Sequence, residues 1–221
     1  MTFILVLLSG IMAFVVGWLL LQTLNVRPWL QNEPVTGWSS GDNNATPPAP
    51  VKFGLCVFLT VATSFFGLFI SAYFMRREGV DWRPVAVPSL LWFNTLVLML
   101  ASVLFQRARV AARRQQAVQF DLWAAGACSW IFLAGQLLAW RQLDAAGQTL
   151  SANPANAFFY VLTALHGLHL LGGLVVWLRT VLPLQRRGTA AALALRIELC
   201  ALYWHFLLAL WLVLFAVLLA R

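Results

Sequence analysis

AFFYVLTALHGLHLLGGLVVWL, residues Ala157–Leu178, decides the fold class. The stretch runs for 22 residues without an acid, a Lys or an Arg, and its polar side chains are two His, one Thr and one Tyr. At about 1.5 Å per residue, a helix of this length crosses the roughly 30 Å of hydrocarbon in a bilayer. Five other runs share its apolar character: Phe3–Leu24, Phe53–Met75, Val87–Phe105, Phe120–Trp140 and Ile197–Ala220. The expected fold is therefore all-α and integral to a membrane, with six transmembrane helices: one N-terminal helix, then a five-helix bundle.

The whole chain agrees with its central stretch. Of its 221 residues, 62% are apolar and 10% charged, whereas a soluble domain is about half apolar and about a quarter charged. That balance excludes an ordinary water-soluble domain, and it also excludes disorder, which needs low hydrophobicity with high net charge. The 11 Trp and 16 Phe suit anchors at the two membrane–water interfaces. The first run lacks a basic leader and is long, so an uncleaved helix over 1–24 is expected rather than a signal peptide. Residues 25–52 carry Glu33-Pro34, Gly37, Ser39-Ser40-Gly41-Asp42-Asn43-Asn44 and Pro47-Pro48, a composition that predicts an irregular linker loop. Residues 53–221 then form the five-helix unit.

A net charge of +8 would suggest nucleic acid in a soluble protein, but the 15 Lys and Arg lie almost wholly between the apolar runs. Such placement follows the positive-inside rule, and no nucleic-acid partner is expected. One side carries Arg76, Arg77, Arg83, Arg141 and Arg221; the other carries Arg27, Lys52, Arg107, Arg109, Arg113, Arg114, Arg179, Arg186, Arg187 and Arg196. The ten-against-five split predicts that the 25–52, 106–119 and 179–196 connections are cytoplasmic and that both termini face the opposite side.

Ionisable groups inside membrane spans mark pumps, carriers and redox centres, because hydrocarbon penalises them. Few occur here. Asp121 and Glu198 fall near expected cytoplasmic helix ends, where they can reach the interface. Cys56, Cys128 and Cys200 lie in apolar runs without metal-ligand spacing and read as small buried hydrophobes. The exceptions are His166 and His169, three apart on one helix, and His205 on the next. His169 and His205 each lie about nine residues from the cytoplasmic end, hence at a similar depth of roughly 14 Å. A polar cluster of His169, His205 and Tyr203 or Thr163 is the expectation. Three imidazoles can also ligate zinc, copper or haem iron, but no Cys, Met or carboxylate stands near the pair at ligand spacing. The residues favour neutral interhelical hydrogen-bonders or lipid contacts over a metal or haem site. Gly126, Gly135, Gly167, Gly172 and Gly173 permit close helix approach, and Asn94-Thr95 and Gln136 read as interhelical glue.

Two segments are more specific: Phe158-Phe159-Tyr160-Val161-Leu162-Thr163-Ala164-Leu165-His166-Gly167-Leu168-His169, and Glu198 followed by Tyr203-Trp204-His205-Phe206. In them the chain resembles subunit III of the haem-copper oxidases, the cytochrome c and quinol oxidase family. Phe58-Leu59, Phe66-Gly67, Ala72-Tyr73, Phe93-Asn94-Thr95, Gln136 and Trp140 extend the resemblance across residues 53–220. It implies an accessory subunit of a proton-translocating terminal oxidase in a bacterial inner membrane. Such a subunit packs against catalytic subunit I and holds phospholipid, while haem and copper reside on partner subunits. His166, His169, Glu198, Tyr203 and His205 are then interhelical or lipid-contact residues, with no catalytic or metal role. Ala62, Ala139 and Leu208 stand where many members carry acids, which argues against carboxylate-based proton handling. A subunit III-like protein of a nitric oxide reductase system shares the same motifs and is the nearer alternative. An independent transporter or haem-binding membrane enzyme is the distant one.

Overall fold

The structure is a computed structural model that describes residues 48–85, 87–182 and 190–220. Over these residues it is all-helical: α1 Pro48–Arg76, α2 Leu90–Arg113, α3 Gln119–Ala145, α4 Pro154–Val181 and α5 Ala190–Leu219. All five are long and apolar enough to cross a membrane. The expected helix Phe3–Leu24, and with it the sixth span, lies outside the described residues, as does most of the 25–52 linker. The chain divides into two compact units after Ala62, within α1.

Every helix outruns its apolar stretch at one or both ends. α2 continues from Phe105 through Arg107, Arg109 and Arg113, and α5 begins seven residues before Ile197. Hydropathy marks the hydrocarbon slab, whereas helices of 24 to 30 residues span about 36–45 Å and so reach through the headgroup layers. Their terminal Arg side chains stay at the polar surface. α1 starts at Pro48 instead of Phe53, since proline is tolerated in a first turn whose N–H groups have no intrahelical partner. α2 starts three residues later than Val87, just beyond Pro88.

Helices α2 to α5 form a closed ring: α2 packs on α3 and α5, and α4 packs on α3 and α5. The Thr63–Arg76 part of α1 meets α4 through Phe66 against His169 (ring centroids 5.3 Å apart) and Tyr73 against Phe158 (5.7 Å). Large apolar side chains face both ways. Trp204, Trp211, Phe105, Phe132 and Phe159 are fully buried, while Leu68, Met75, Trp92, Leu96 and Phe120 are exposed. Helices apolar all round suit a lipid solvent and not water.

Three helix ends are secured by local hydrogen bonds. Asn153 caps α4, its Oδ1 accepting from Ala155 N–H at 3.2 Å with Pro154 in the first turn. The same Oδ1 accepts from Arg83 N–H at 3.3 Å and its Nδ2 donates to Arg83 C=O, so one amide joins the 77–89 connection to α4. α3 ends with Gly147 at φ +75°, Gly147 N–H donating to Asp144 C=O and Gln148 N–H to Leu143 C=O, both at 2.9 Å. α2 ends the same way at Gln115, whose φ is +55°. There Gln116 N–H donates to Ala111 C=O at 2.9 Å. Glycine adopts this left-handed geometry without the Cβ penalty that glutamine carries. Gln115→Gly is therefore expected to stabilise the chain by about 1 kcal/mol, seen as a higher unfolding midpoint in detergent. An unchanged or lower midpoint would show that Gln115 carries no strain.

Candidate functional site: an aromatic–hydroxyl bundle interior

Four indoles donate hydrogen bonds inside the described bundle, and three of them use the same device. Trp211 Nε1 donates to Thr95 Oγ1 at 3.0 Å, Trp204 Nε1 to Ser129 Oγ at 2.8 Å, and Trp140 Nε1 to Thr163 Oγ1 at 3.0 Å. Each hydroxyl in turn donates to the carbonyl four residues earlier: Leu91, Ala125 and Phe159. The fourth, Trp177 Nε1, donates directly to Leu122 C=O at 2.9 Å. These bonds join α5 to α2 and α3 to α4 along the ring, and α5 to α3 across it. Composition suggested interfacial anchoring for the tryptophans, but Trp177, Trp204 and Trp211 are buried. The readable signal was a Ser or Thr placed among apolar residues at the depth of a Trp on the neighbouring helix.

The histidines serve different contacts. His205 Nε2 lies 3.1 Å from Gln106 Oε1, and its Nδ1 lies 2.5 Å from Ser102 Oγ. An amide oxygen only accepts, so Nε2 carries the proton and Nδ1 accepts from the Ser102 hydroxyl. His205 thus ties α5 to α2, whereas its depth alone had suggested a partnership with His169 on α4. His169 Nδ1 bonds the Leu165 carbonyl of its own helix at 2.8 Å, and Tyr203 Oη donates to the His169 carbonyl at 2.8 Å. Tyr203, two residues from His205, therefore faces α4. His166 is fully buried, with its ring 5.7 Å from Phe132 and 5.1 Å from Trp211. Thr163 belongs to the Trp140 contact. Asn94 and Gln136, expected to be glue, are buried, yet their amides have no hydrogen-bond partner among the described residues.

Glu198 lies 3.4 Å from both Arg109 and Arg113, one turn apart on α2. Asp121 at the start of α3 lies 3.5 Å from Arg107. The two carboxylates nearest the apolar core are thus paired with arginines at one end of the bundle. At the opposite end Arg76 donates to Asp81 at 2.5 Å, and that hydrogen bond holds the exposed Asp81 carboxyl below the usual carboxylate range. A cavity of about 280 Å³ opens beside it, lined by Tyr73, Arg77, Trp82, Pro84, Val85 and Leu218 among others.

Residues 2–220 match the family model for cytochrome c oxidase subunit III. The chain belongs to the cytochrome c oxidase subunit III family. Cytochrome c oxidase subunit 3 of Synechocystis sp. is 30% identical over 171 residues, covering 74% of this chain and 72% of that one. The protein of the same name from Thermostichus vulcanus is 30% identical over 172 residues, covering 75% and 84%. The probable cytochrome c oxidase subunit 3 of Mycobacterium bovis is 28% identical over 189 residues, covering 82% and 93%. The sequence resemblance and the family match agree, and the match extends over the N-terminal region as well. As a subunit III family member the chain is a multi-pass membrane protein of respiratory electron transport. Of the positions read as family acids, Ala62 and Ala139 are buried and Leu208 is half-buried.

Proposed function

We propose that this chain is a non-catalytic accessory subunit of a proton-translocating haem-copper terminal oxidase, stabilising the catalytic subunit and holding phospholipid. Haem and copper then belong to partner subunits, and His166, His169, Glu198, Tyr203 and His205 are structural. The observation that carries this reading is how the interior polar groups are used. The Trp, Ser, Thr and Tyr side chains described above are committed to joining helices. The cavity beside Arg77 supports lipid binding, since it sets one cation among aromatic and apolar walls. The setting is the bacterial inner membrane, with the Glu198–Arg109–Arg113 end cytoplasmic and both termini periplasmic, as the ten-against-five distribution of Lys and Arg suggests.

Purification of the tagged chain from its native membrane, with spectra and identification of what accompanies it, is the direct test. A haem-copper oxidase catalytic subunit is expected. A nitric oxide reductase in its place would reassign the complex, and a Soret band from the isolated chain would overturn the accessory role.

Two further results are expected. A membrane-impermeant thiol reagent should fail to label Arg113→Cys in intact cells and should label it in inverted vesicles; efficient labelling from outside would reverse the orientation. His205→Ala removes the link to Ser102 and Gln106 and is expected to cost about 1 kcal/mol of helix association. The complex should then lose this chain more readily in detergent, while initial electron transfer per catalytic subunit stays near normal. Loss of a haem or copper signal with the chain still bound would make His205 a ligand.

A further inference from the structure

Among the described residues eight buried side-chain atoms lack a hydrogen-bond partner. Arg109 Nε and Asp121 Oδ1 belong to the ion-paired groups at the Glu198 end, and the other six belong to three residues: both amide atoms of Asn94, both of Gln136 and both ring nitrogens of His166. Asn94 and His166 are 0% exposed and Gln136 is 3%. They come from three helices but share one level. The Asn94 amide rests against Gly135, the neighbour of Gln136. Phe132, one turn before Gln136 on the same side of α3, meets His166, and His166 meets Trp211. The Trp211 indole donates to Thr95, the neighbour of Asn94. This circuit passes through α3, α4, α5 and back to α2.

The apolar neighbours cannot satisfy these groups. Phe132 has no polar atom, and the single N–H of Trp211 is committed to Thr95. Two carboxamides and an imidazole together present several donors and several acceptors, and an orphaned group of either kind opposes burial in hydrocarbon. Water is the ligand that matches: it both donates and accepts, it is small, and buried waters typically make about three hydrogen bonds to such groups. We infer that the α2–α5 ring holds a buried water-binding site in which ordered water bridges Asn94, Gln136 and His166. The site lies in the half of the bundle nearer the 77–89 and 146–153 connections, away from the Glu198 end. It does not depend on which catalytic subunit the chain accompanies.

Radiolysis of the purified complex in heavy-oxygen water tests this, because hydroxyl radicals made from a bound water oxidise the side chains beside it. Phe132 and Trp211 are expected to take up heavy oxygen several-fold faster than Phe66 and Trp204, which are equally inaccessible from outside. Gln136→Leu combined with His166→Phe should remove that excess. Uptake at Phe132 and Trp211 no faster than at Phe66 and Trp204 would overturn the site. An excess that survives in the double variant would overturn it too, since the water would then be held by other groups. The unsubstituted protein alone decides the first comparison, so a poorly folding variant leaves the test intact.

Discussion

Gly126→Val is expected to destabilise the chain by about 3 kcal/mol, among the largest effects of any single substitution. A Cβ on Gly126 would lie 2.1 Å from Trp177 Cζ2 and 2.4 Å from Cε2. Trp177 cannot swing aside cheaply. Its Nε1 is held by Leu122 C=O, it is 5% exposed, and Trp123 packs edge-on against it with centroids 5.5 Å apart. The extra methyls would therefore push α4 off α3 or break the indole bond, and either raises the energy. Gly172, with nothing within 4 Å of its Cβ position, supplies the contrast. Gly172→Ala should be neutral or stabilising by up to about 1 kcal/mol through helix propensity. Equilibrium unfolding in mixed micelles would measure both, and equal effects would refute the tight α3–α4 approach at Gly126.

Trp204→Ala is the second large effect, expected at about 3–5 kcal/mol. The indole is fully buried, packs at a tilt against Phe105 of α2 with ring centroids 4.2 Å apart, and donates to Ser129 of α3. One side chain on α5 thus touches two neighbours, and its deletion opens a void between three helices that hydrocarbon chains cannot readily enter. Trp204→Phe keeps most of the volume and loses the N–H, so it should cost only about 1 kcal/mol. The same unfolding measurement separates the two contributions. If phenylalanine proved as damaging as alanine, the hydrogen bond and not the packing would dominate at this position.

The number and place of the described helices were legible in the sequence because the bilayer imposes one length on every apolar run. Their ends were not, since Arg107, Arg109 and Arg113 sit on α2 beyond the slab. The same limit governed the polar residues. Counting from helix ends set the depth of His205 but not the side of α5 from which it projects. Positions 203 and 205 are separated by about 200° around a helix, so Tyr203 addresses α4 while His205 addresses α2. The tryptophans show the complementary difficulty, because composition treats an interfacial indole and a buried one alike. Asn94 and Gln136 were legible as buried, whereas their lack of protein partners required the packing of all four helices.

The hydroxyl of Thr95, Ser129 or Thr163 gives its own proton to a carbonyl of the same helix and keeps a lone pair toward the neighbour. Each of these helices can therefore leave the translocon alone, with that hydroxyl's proton already shielded from lipid by its own turn. The spare lone pair becomes useful only when a partner helix arrives with an indole N–H. Insertion and assembly are in this way uncoupled. A helix caught between the two steps exposes to lipid, at these three positions, only acceptors and no unpaired hydroxyl proton, so it can wait in the membrane for the other helices of its own chain.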